Sequence, residues 1–185
     1  MRMAVTPQII LITGNMASGK TTVAQALAER LPRSVHLRGD VFRRMIVNGQ
    51  AEMGFALSEE AQRQLELRYE LAIIAAKRYA DAGLAVVYQD VIIGPWLSKI
   101  AAAFSGYRLA VVVLCPSAEV IAERERTRAK TGYPDGEAVF AFDRILREET
   151  SRIGFWLDNS SLSVEETVEK ILNHLRLSTN KKKWP

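Results

Sequence analysis

The sequence predicts an α/β protein whose parallel sheet is covered on both faces, and three observations carry that prediction. Short apolar runs alternate with longer amphipathic stretches along the chain. The runs are continuously apolar instead of alternating, as strands buried on both faces are. No repeat or low-complexity linker divides the 185 residues, so they read as a single domain. Five strands are expected.

The elements follow in order along the chain. QIILIT (8–13) is the first strand, followed by a glycine-bearing turn and a helix over 20–31 that Pro32 stops. SVHLR (34–38) is the second strand, ending at Gly39-Asp40. A helix then begins near Val41, with Asp40 at its N-cap, and fades by Asn48-Gly49. Ser58 caps a long helix that runs to Gly83, whose residue type suits a left-handed C-terminal cap. LAVVYQD (84–90) and RLAVVVLC (108–115) are the third and fourth strands. A helix over 117–130 follows Pro116, TGYPDG (131–136) is a loop, and EAVFAFDRILREETSR (137–152) is helical. FWLDNSS (155–161) supplies the last strand and its turn, before a closing helix at 164–176.

Composition narrows the partners. The formal net charge is +4, but Lys181, Lys182 and Lys183 supply three of those charges, so the rest of the chain carries +1. The basic pI therefore says little about nucleic acid, and STNKKKWP (178–185) reads as a solvated, flexible tail. Cys115 is the only cysteine. No internal disulfide is possible, and a reducing cytoplasm is the expected location. No apolar run approaches the length of about 18 residues that a membrane span needs. A monomer or homodimer without a membrane partner is expected.

The strongest motif lies between the first strand and the first helix. Gly14, Asn15, Met16, Ala17, Ser18, Gly19, Lys20 and Thr21 fit G-x-x-x-x-G-K-[ST] at every fixed position, with Thr22 next. Glycines let successive backbone N–H groups curl around an anion, and the following helix N-terminus adds partial positive charge. Lys20 reaches β- and γ-phosphates in such a loop, and the Thr21 hydroxyl ligates Mg²⁺. The expected ligands are a nucleoside triphosphate, ATP or GTP, and Mg²⁺.

Other residues choose among motors, switches and kinases. Ligands of open parallel sheets bind outside the carboxyl ends of the strands. Asp40, at the end of strand two, therefore faces the same crevice as the loop and can take a proton from an attacking hydroxyl. Arg43, one turn on, shares its helix face and can hold an anionic or polar acceptor. Asp90, at the end of strand three, suits either a Mg²⁺ contact through water or a contact with the acceptor. Phe42, Met45, Met53, Phe55, Tyr69 and Trp96 are core residues or the lining of an acceptor pocket. Arg124 and Arg128 are i,i+4 on one helix and precede a Gly- and Pro-containing loop. That suits a lid, about 124–137, whose arginines stabilise charge on a transferring phosphoryl group.

GNMASGKT, GDVFR, VVYQDVIIG, PSAEVIAERERTR and LDNSS occur here in the order and spacing of the P-loop small-molecule kinases. The sequence resembles in particular the chloramphenicol phosphotransferases, over roughly residues 8–175. They share the aspartate after strand two, D-V-x-x-G after strand three, and E-V-x-x-x-R-E-x-x-R opening the lid. Gluconate and shikimate kinases share the wider plan, and Asp40 with Arg43 resembles the D-x-x-R of polynucleotide 5′-hydroxyl kinases. The resemblance implies a five-stranded parallel sheet in the order 2-3-1-4-5, Asp40 as base, Arg124 and Arg128 in the lid, and Asn159 against the adenine. Shikimate kinases carry D-x-D after strand two, whereas Phe42 occupies the second place here, and residues 42–75 depart from the chloramphenicol phosphotransferases. The expectation is an ATP-dependent kinase acting on a hydroxyl of a small molecule, an antibiotic, sugar or related metabolite. The alternatives are a nucleotide or polynucleotide 5′-hydroxyl kinase, disfavoured by the near-neutral body, and a nucleotide-dependent regulatory switch.

Overall fold

In the computed structural model, which describes residues 8–181 apart from Phe55, residues 128–131 and Asp135, the five strands form one sheet. They are β1 (Ile9–Gly14), β2 (Ser34–Arg38), β3 (Ala85–Gln89), β4 (Leu109–Leu114) and β5 (Phe155–Leu157), in the order β2-β3-β1-β4-β5. All pairings are parallel, with Ile9 of β1 beside Val86 of β3 and Leu109 of β4. Every residue of β1 is buried, so its apolar run has no polar alternation to keep.

Side-chain alternation divides the core. Ile9, Leu11, Val86, Tyr88 and Val113 point to a face covered by α3 (Glu59–Asp81) and α4 (Trp96–Ala103). Ile10, Ile12, Val87, Val112 and Leu114 point to the opposite face, under α1 (Lys20–Glu29) and α7 (Val164–Lys181). Each such side chain contributes about 1.5–3 kcal/mol on burial, which fixes the strand register on both faces. A satellite cluster of Ala118, Ile121, Tyr133, Ala138 and Val139 joins α5 (Ala118–Arg126) and α6 (Gly136–Arg144) to Met16 and Ala17.

Several boundaries differ from expectation. Asp40 is the first residue of α2 (Asp40–Arg44), not its N-cap, which is Gly39, and no side chain caps this end. The Asp40 carboxylate is turned instead to arginines, described below. Ser58 does cap α3, accepting from the Ala61 N–H at 3.1 Å, and Gly83 takes the left-handed φ of +79° just past the helix end. The stretch after β3, for which periodicity gives no element, contains α4. The helix expected over 137–152 is α6 followed by a π segment, Ile145–Glu149, and it stops earlier. There the Thr150 hydroxyl donates to the Ile145 carbonyl at 2.9 Å and accepts from the Gly94 N–H at 2.7 Å, replacing the next helical bonds. At the other end of the chain, α7 continues past residue 176 to Lys181, into the segment expected to be a tail. Among the described residues, no helix is long and apolar enough to cross a membrane.

Candidate active site

The loop between β1 and α1 is shaped by backbone conformations few residues adopt. Gly14 has φ +145°, and a Cβ there would lie 2.3 Å from the Leu114 carbonyl oxygen of the adjacent strand. Ala17 takes φ 59°, the left-handed region that costs a non-glycine residue energy, and Gly19 follows at φ 93°. The result is a turn that folds back on its own lysine. Lys20, buried, donates from Nζ to the Asn15 carbonyl at 2.5 Å and to Ser18 Oγ at 3.4 Å. Asn15 is fully buried, and neither its amide oxygen nor its amide nitrogen has a hydrogen-bond partner among the described residues. Orphaned buried polar atoms are costly and call for a reason, and a bound anion would supply an acceptor for the amide nitrogen. Thr21 and Thr22 are exposed on the first turn of α1.

On the β4–β5 side, bonds between side chains and backbone hold this loop. Asn159, buried, donates from Nδ2 to the Ser18 carbonyl at 3.0 Å, while its Oδ1 has no partner among the described residues. Arg124 of α5 spans the two segments, reaching the Ser18 carbonyl at 3.4 Å and the Asn159 carbonyl at 3.2 Å. The Tyr133 hydroxyl donates to the Met16 carbonyl at 3.0 Å, and the Glu125 carboxylate accepts from the backbone N–H of Tyr133 at 3.2 Å and from that of Gly132. Part of the expected lid thus rests on the loop. Arg128 lies outside the described residues.

On the β2–β3 side the groups are charged. Asp40, at the end of β2, is ion-paired with Arg44 one turn along α2 and lies 3.6 Å from Arg38 Nε. Its Oδ1 is buried and accepts no hydrogen bond among the described residues. Asp90, buried at the end of β3, forms a two-bond pair with Arg68 of α3, one bond being Nε to Oδ2 at 3.0 Å. It also accepts from the Val91 N–H at 2.7 Å and, more weakly, from the Tyr88 hydroxyl at 3.4 Å. Burial pushes the Tyr69 hydroxyl up to about 12 and raises that of Tyr88 as well, so both stay protonated donors. Burial also lowers the Arg68 pKa from its usual value, with Tyr69, Tyr88 and Asp40 opposing the fall and Arg43 adding to it.

Backbone bonds align the two sides. The Gly39 N–H donates to the Gln89 carbonyl at 3.1 Å, and the Asp90 N–H to the Ile12 carbonyl at 3.2 Å. The Thr13 hydroxyl donates to the Ile92 carbonyl at 2.8 Å and accepts from the Ile92 N–H at 2.9 Å. Asp40, Asp90 and the loop therefore occupy three adjacent strand ends on one edge of the sheet. A segment over residues 45–57 borders the β2 end. Arg43 donates to the Ala51 carbonyl, while buried Gln64 donates to the Gly49 carbonyl at 2.8 Å and accepts from the Ala51 N–H at 2.9 Å. Of the six candidate pocket residues, Tyr69 and Trp96 pack together with ring centroids 5.5 Å apart. Phe42 and Met53 are half-buried, Met45 is exposed, and Phe55 is outside the described residues.

The family model described as an AAA domain, AAA_33, matches residues 9–148. The chain belongs to this family. No curated protein sequence matches it. Among solved structures, a sugar kinase from Janibacter sp. HTCC2649 is similar with a TM-score of 0.68 at 20% identity, covering 94% of this chain and 97% of its own. A gluconokinase from Sinorhizobium meliloti 1021 has a TM-score of 0.66 at 20% identity, with 95% of each chain covered. The tunicamycin resistance protein of Deinococcus radiodurans gives 0.66 at 20% identity, with 92% and 96% covered. The fold, including the strand order, is that of these P-loop proteins.

In this AAA_33 domain the contiguous motif and the residues around Asp40 lie at one edge of the sheet. Sequence reasoning missed Arg38 and Arg44 on Asp40, Arg68 on Asp90, and Tyr133 on the loop. Arg44 had a signal, the i,i+4 spacing from Asp40. Arg68 had none, because its partner is 22 positions away. Among the described residues no three His, Cys, Asp or Glu side chains converge as a metal cage. A site for Mg²⁺ needs only one or two protein oxygens beside substrate phosphates, and the exposed Thr21 hydroxyl at the loop fits that demand.

Proposed function

We propose that the chain is an ATP-dependent phosphotransferase that moves the γ-phosphoryl group to a hydroxyl of a small molecule such as an antibiotic, a sugar or a related metabolite. The observation that carries this reading is Asp40 Oδ1, a buried carboxylate oxygen with no hydrogen bond among the described residues, two strands from the phosphate loop. A carboxylate oxygen so placed, with only the 3.6 Å approach of Arg38 Nε, suits a general base. The folds shared with a sugar kinase and a gluconokinase support a small polar acceptor.

The residues divide the work. The N–H groups of residues 14–22 and Lys20 hold the phosphates of ATP, with Asn159 and Arg124 on the nucleotide side. Thr21 would hold Mg²⁺, which when bound neutralises charge on the phosphate oxygens. Asp40 takes the proton of the acceptor hydroxyl as its oxygen bonds to the γ-phosphorus. The bond from that phosphorus to the β–γ bridging oxygen breaks, and ADP leaves. Arg124, with Arg128 from a lid over about 124–137 of this single domain, stabilises the transferring group. For Asp90, a carboxylate with about four acceptor positions already receives two bonds from Arg68, one from Val91 and one from Tyr88. That supports the acceptor side over a water-mediated Mg²⁺ contact.

A nucleotide or polynucleotide 5′-hydroxyl acceptor is the second reading, favoured by the arginines around Asp40. A steep loss of acceptor affinity with salt would select the polymer, since phosphate contacts release counterions.

The test offers Mg·ATP and pools of hydroxyl compounds to the protein and follows ADP release. At least one pool should stimulate release, and Lys20→Met should abolish the stimulation without lowering the melting temperature by more than a few degrees. Slow hydrolysis that no pool accelerates would remove the kinase reading in favour of a switch. A Lys20→Met protein that fails to fold would make this lysine structural.

A further inference from the structure

The β2–β3 end of the edge carries more positive charge than its carboxylates need. Arg38, Arg43, Arg44 and Arg68 stand around Asp40 and Asp90. Four guanidinium groups against two carboxylates leave an excess of two positive charges, in a chain whose remainder outside the lysine run is nearly neutral. The excess is not spread evenly. Arg38 and Arg44 lie on Asp40 and are about half-exposed, where solvent screens them. Arg43 and Arg68 are different.

Arg68 is almost withdrawn from solvent, with 12% of its side chain exposed, and within electrostatic reach of both Asp40 and Arg43. Its bonds to Asp90 use Nε and one N–H of Nη2. A guanidinium has five N–H donors. The remaining three, two of them on Nη1, meet no acceptor among the described residues and are left for a ligand. Arg43 donates from Nη2 to the Ala51 carbonyl, and its Nε is buried with no partner among the described residues. A buried donor of this kind is costly unless something supplies an oxygen. The planar fork of arginine matches a carboxylate or a phosphate.

We propose that Arg68 and Arg43 form an oxyanion clamp, and that the acceptor is an alcohol bearing a carboxylate or a phosphate ester close to the hydroxyl that Asp40 deprotonates. The inference rests on the kinase reading and names its substrate class. Asp90 is then a positioning residue: it aims Arg68 and contacts the acceptor only through it. The distance between the two groups of the acceptor follows from the helix. Asp40 and Arg43 are i,i+3 on α2, so their side chains start about 5–6 Å apart. Hydroxyl and oxyanion accordingly belong to one small molecule.

The experiment uses matched sets of three- to six-carbon polyols, each set holding a neutral member, its carboxylate and its phosphate ester, with saturating Mg·ATP and ADP release as the readout. Charged members should be used at least about tenfold more efficiently in kcat/KM than their neutral partner, and the preferred charge distinguishes carboxylate from phosphate. Arg68→Gln/Asp90→Asn, which removes both charges of the buried pair together, should raise the KM for the charged member about tenfold or more. Nucleotide affinity by titration should not change. Arg68→Lys, which keeps the charge but not the fork, should show an intermediate KM. Preference for a neutral member, or an unchanged KM in a folded double variant, overturns the clamp and leaves the kinase reading standing. ADP release that none of the compounds stimulates, in these sets or in the broader pools, overturns both.

Discussion

Beside β4 and β5, the phosphate loop is held by side chains that bond mostly to backbone: Asn159 and Arg124 on the Ser18 carbonyl, Tyr133 on that of Met16. Beside β2 and β3, side chains bond one another as ions: Asp40 with Arg44, Asp90 with Arg68. Among the described residues, the first arrangement leaves uncharged amide atoms of Asn15 and Asn159 without hydrogen bonds, while the second leaves a carboxylate oxygen and arginine nitrogens without them. On the proposed reading the first side holds a polyphosphate, for which backbone geometry serves, and the second removes a proton and selects an acceptor, for which charges serve.

Four changes would break or sharpen that contrast. The largest effect is expected on the charged side. We predict that Asp40→Asn slows transfer about 10²–10⁴-fold while Mg·ATP binds almost normally. Its exposed pair with Arg44 is worth at most about 1 kcal/mol, so the melting temperature should hardly move. Single-turnover assays beside nucleotide titration check this. Lost nucleotide binding would show that the two sides are not separate. Next, Arg124→Ala is expected to lower kcat about 10²–10³-fold, with a smaller rise in the KM for ATP. An unchanged kcat with a raised KM would make Arg124 a ground-state contact.

The third change compares two glycines by thermal melting. A Cβ on Gly39 would lie 1.9 Å from Oδ2 of Asp90, whereas one on Gly132 would meet Met16 Cβ at 3.1 Å and Sδ at 3.2 Å. The Asp90 carboxylate is fixed by its bonds, but a methionine side chain adapts. Gly39→Ala should therefore cost about 1–3 kcal/mol, and each kcal/mol shifts the midpoint by about 2–4 °C in a chain of this size. Gly132→Ala should cost less than about 1 kcal/mol. Equal losses would remove the claimed difference in rigidity.

The smallest effect concerns His36, on β2. Burial first, and Arg38 second, lower its pKa from 6.5, with Asp40 opposing. The folded state then binds fewer protons than the unfolded state just below pH 6.5, so stability falls as pH drops through that window and is fully present above it. His36→Asn should flatten this slope in denaturant titrations between about pH 7 and 5. A slope that survives the substitution would assign it to other groups.

What could be read in advance follows the same division. The phosphate loop was legible because its chemistry is local: glycines, lysine and threonine at fixed offsets build the turn they function in. The strands were legible as apolar runs, and Ser58 and Gly83 as helix ends, for the same reason. Asp40 was found, but its surroundings were not. Its cap role gave way to Arg44 and Arg38, and Arg68 joins Asp90 across the gap between α3 and β3. Nothing in the sequence around Arg68 distinguishes it from the exposed charges of the same helix. Helix α4 was missed for another reason, since WLSKIAAA is too short and too evenly apolar to display a period.

The strand order also has an evolutionary consequence. Arg38, Asp40, Arg43, Arg44, Arg68 and Asp90 all fall on one uninterrupted stretch that begins with β2 and closes just after β3. The groups on the opposite flank come from chain before and after that stretch, and β1 stands between the two sets in space. On the proposed reading, recombination with a paralogue at just two breakpoints, one in the turn before Ser34 and one in the loop before Leu109, would exchange the acceptor side and leave the phosphate-donor side intact. A lineage built this way can diversify what it acts on by swapping a cassette, and chimeras with the same breakpoints would reproduce the process in the laboratory.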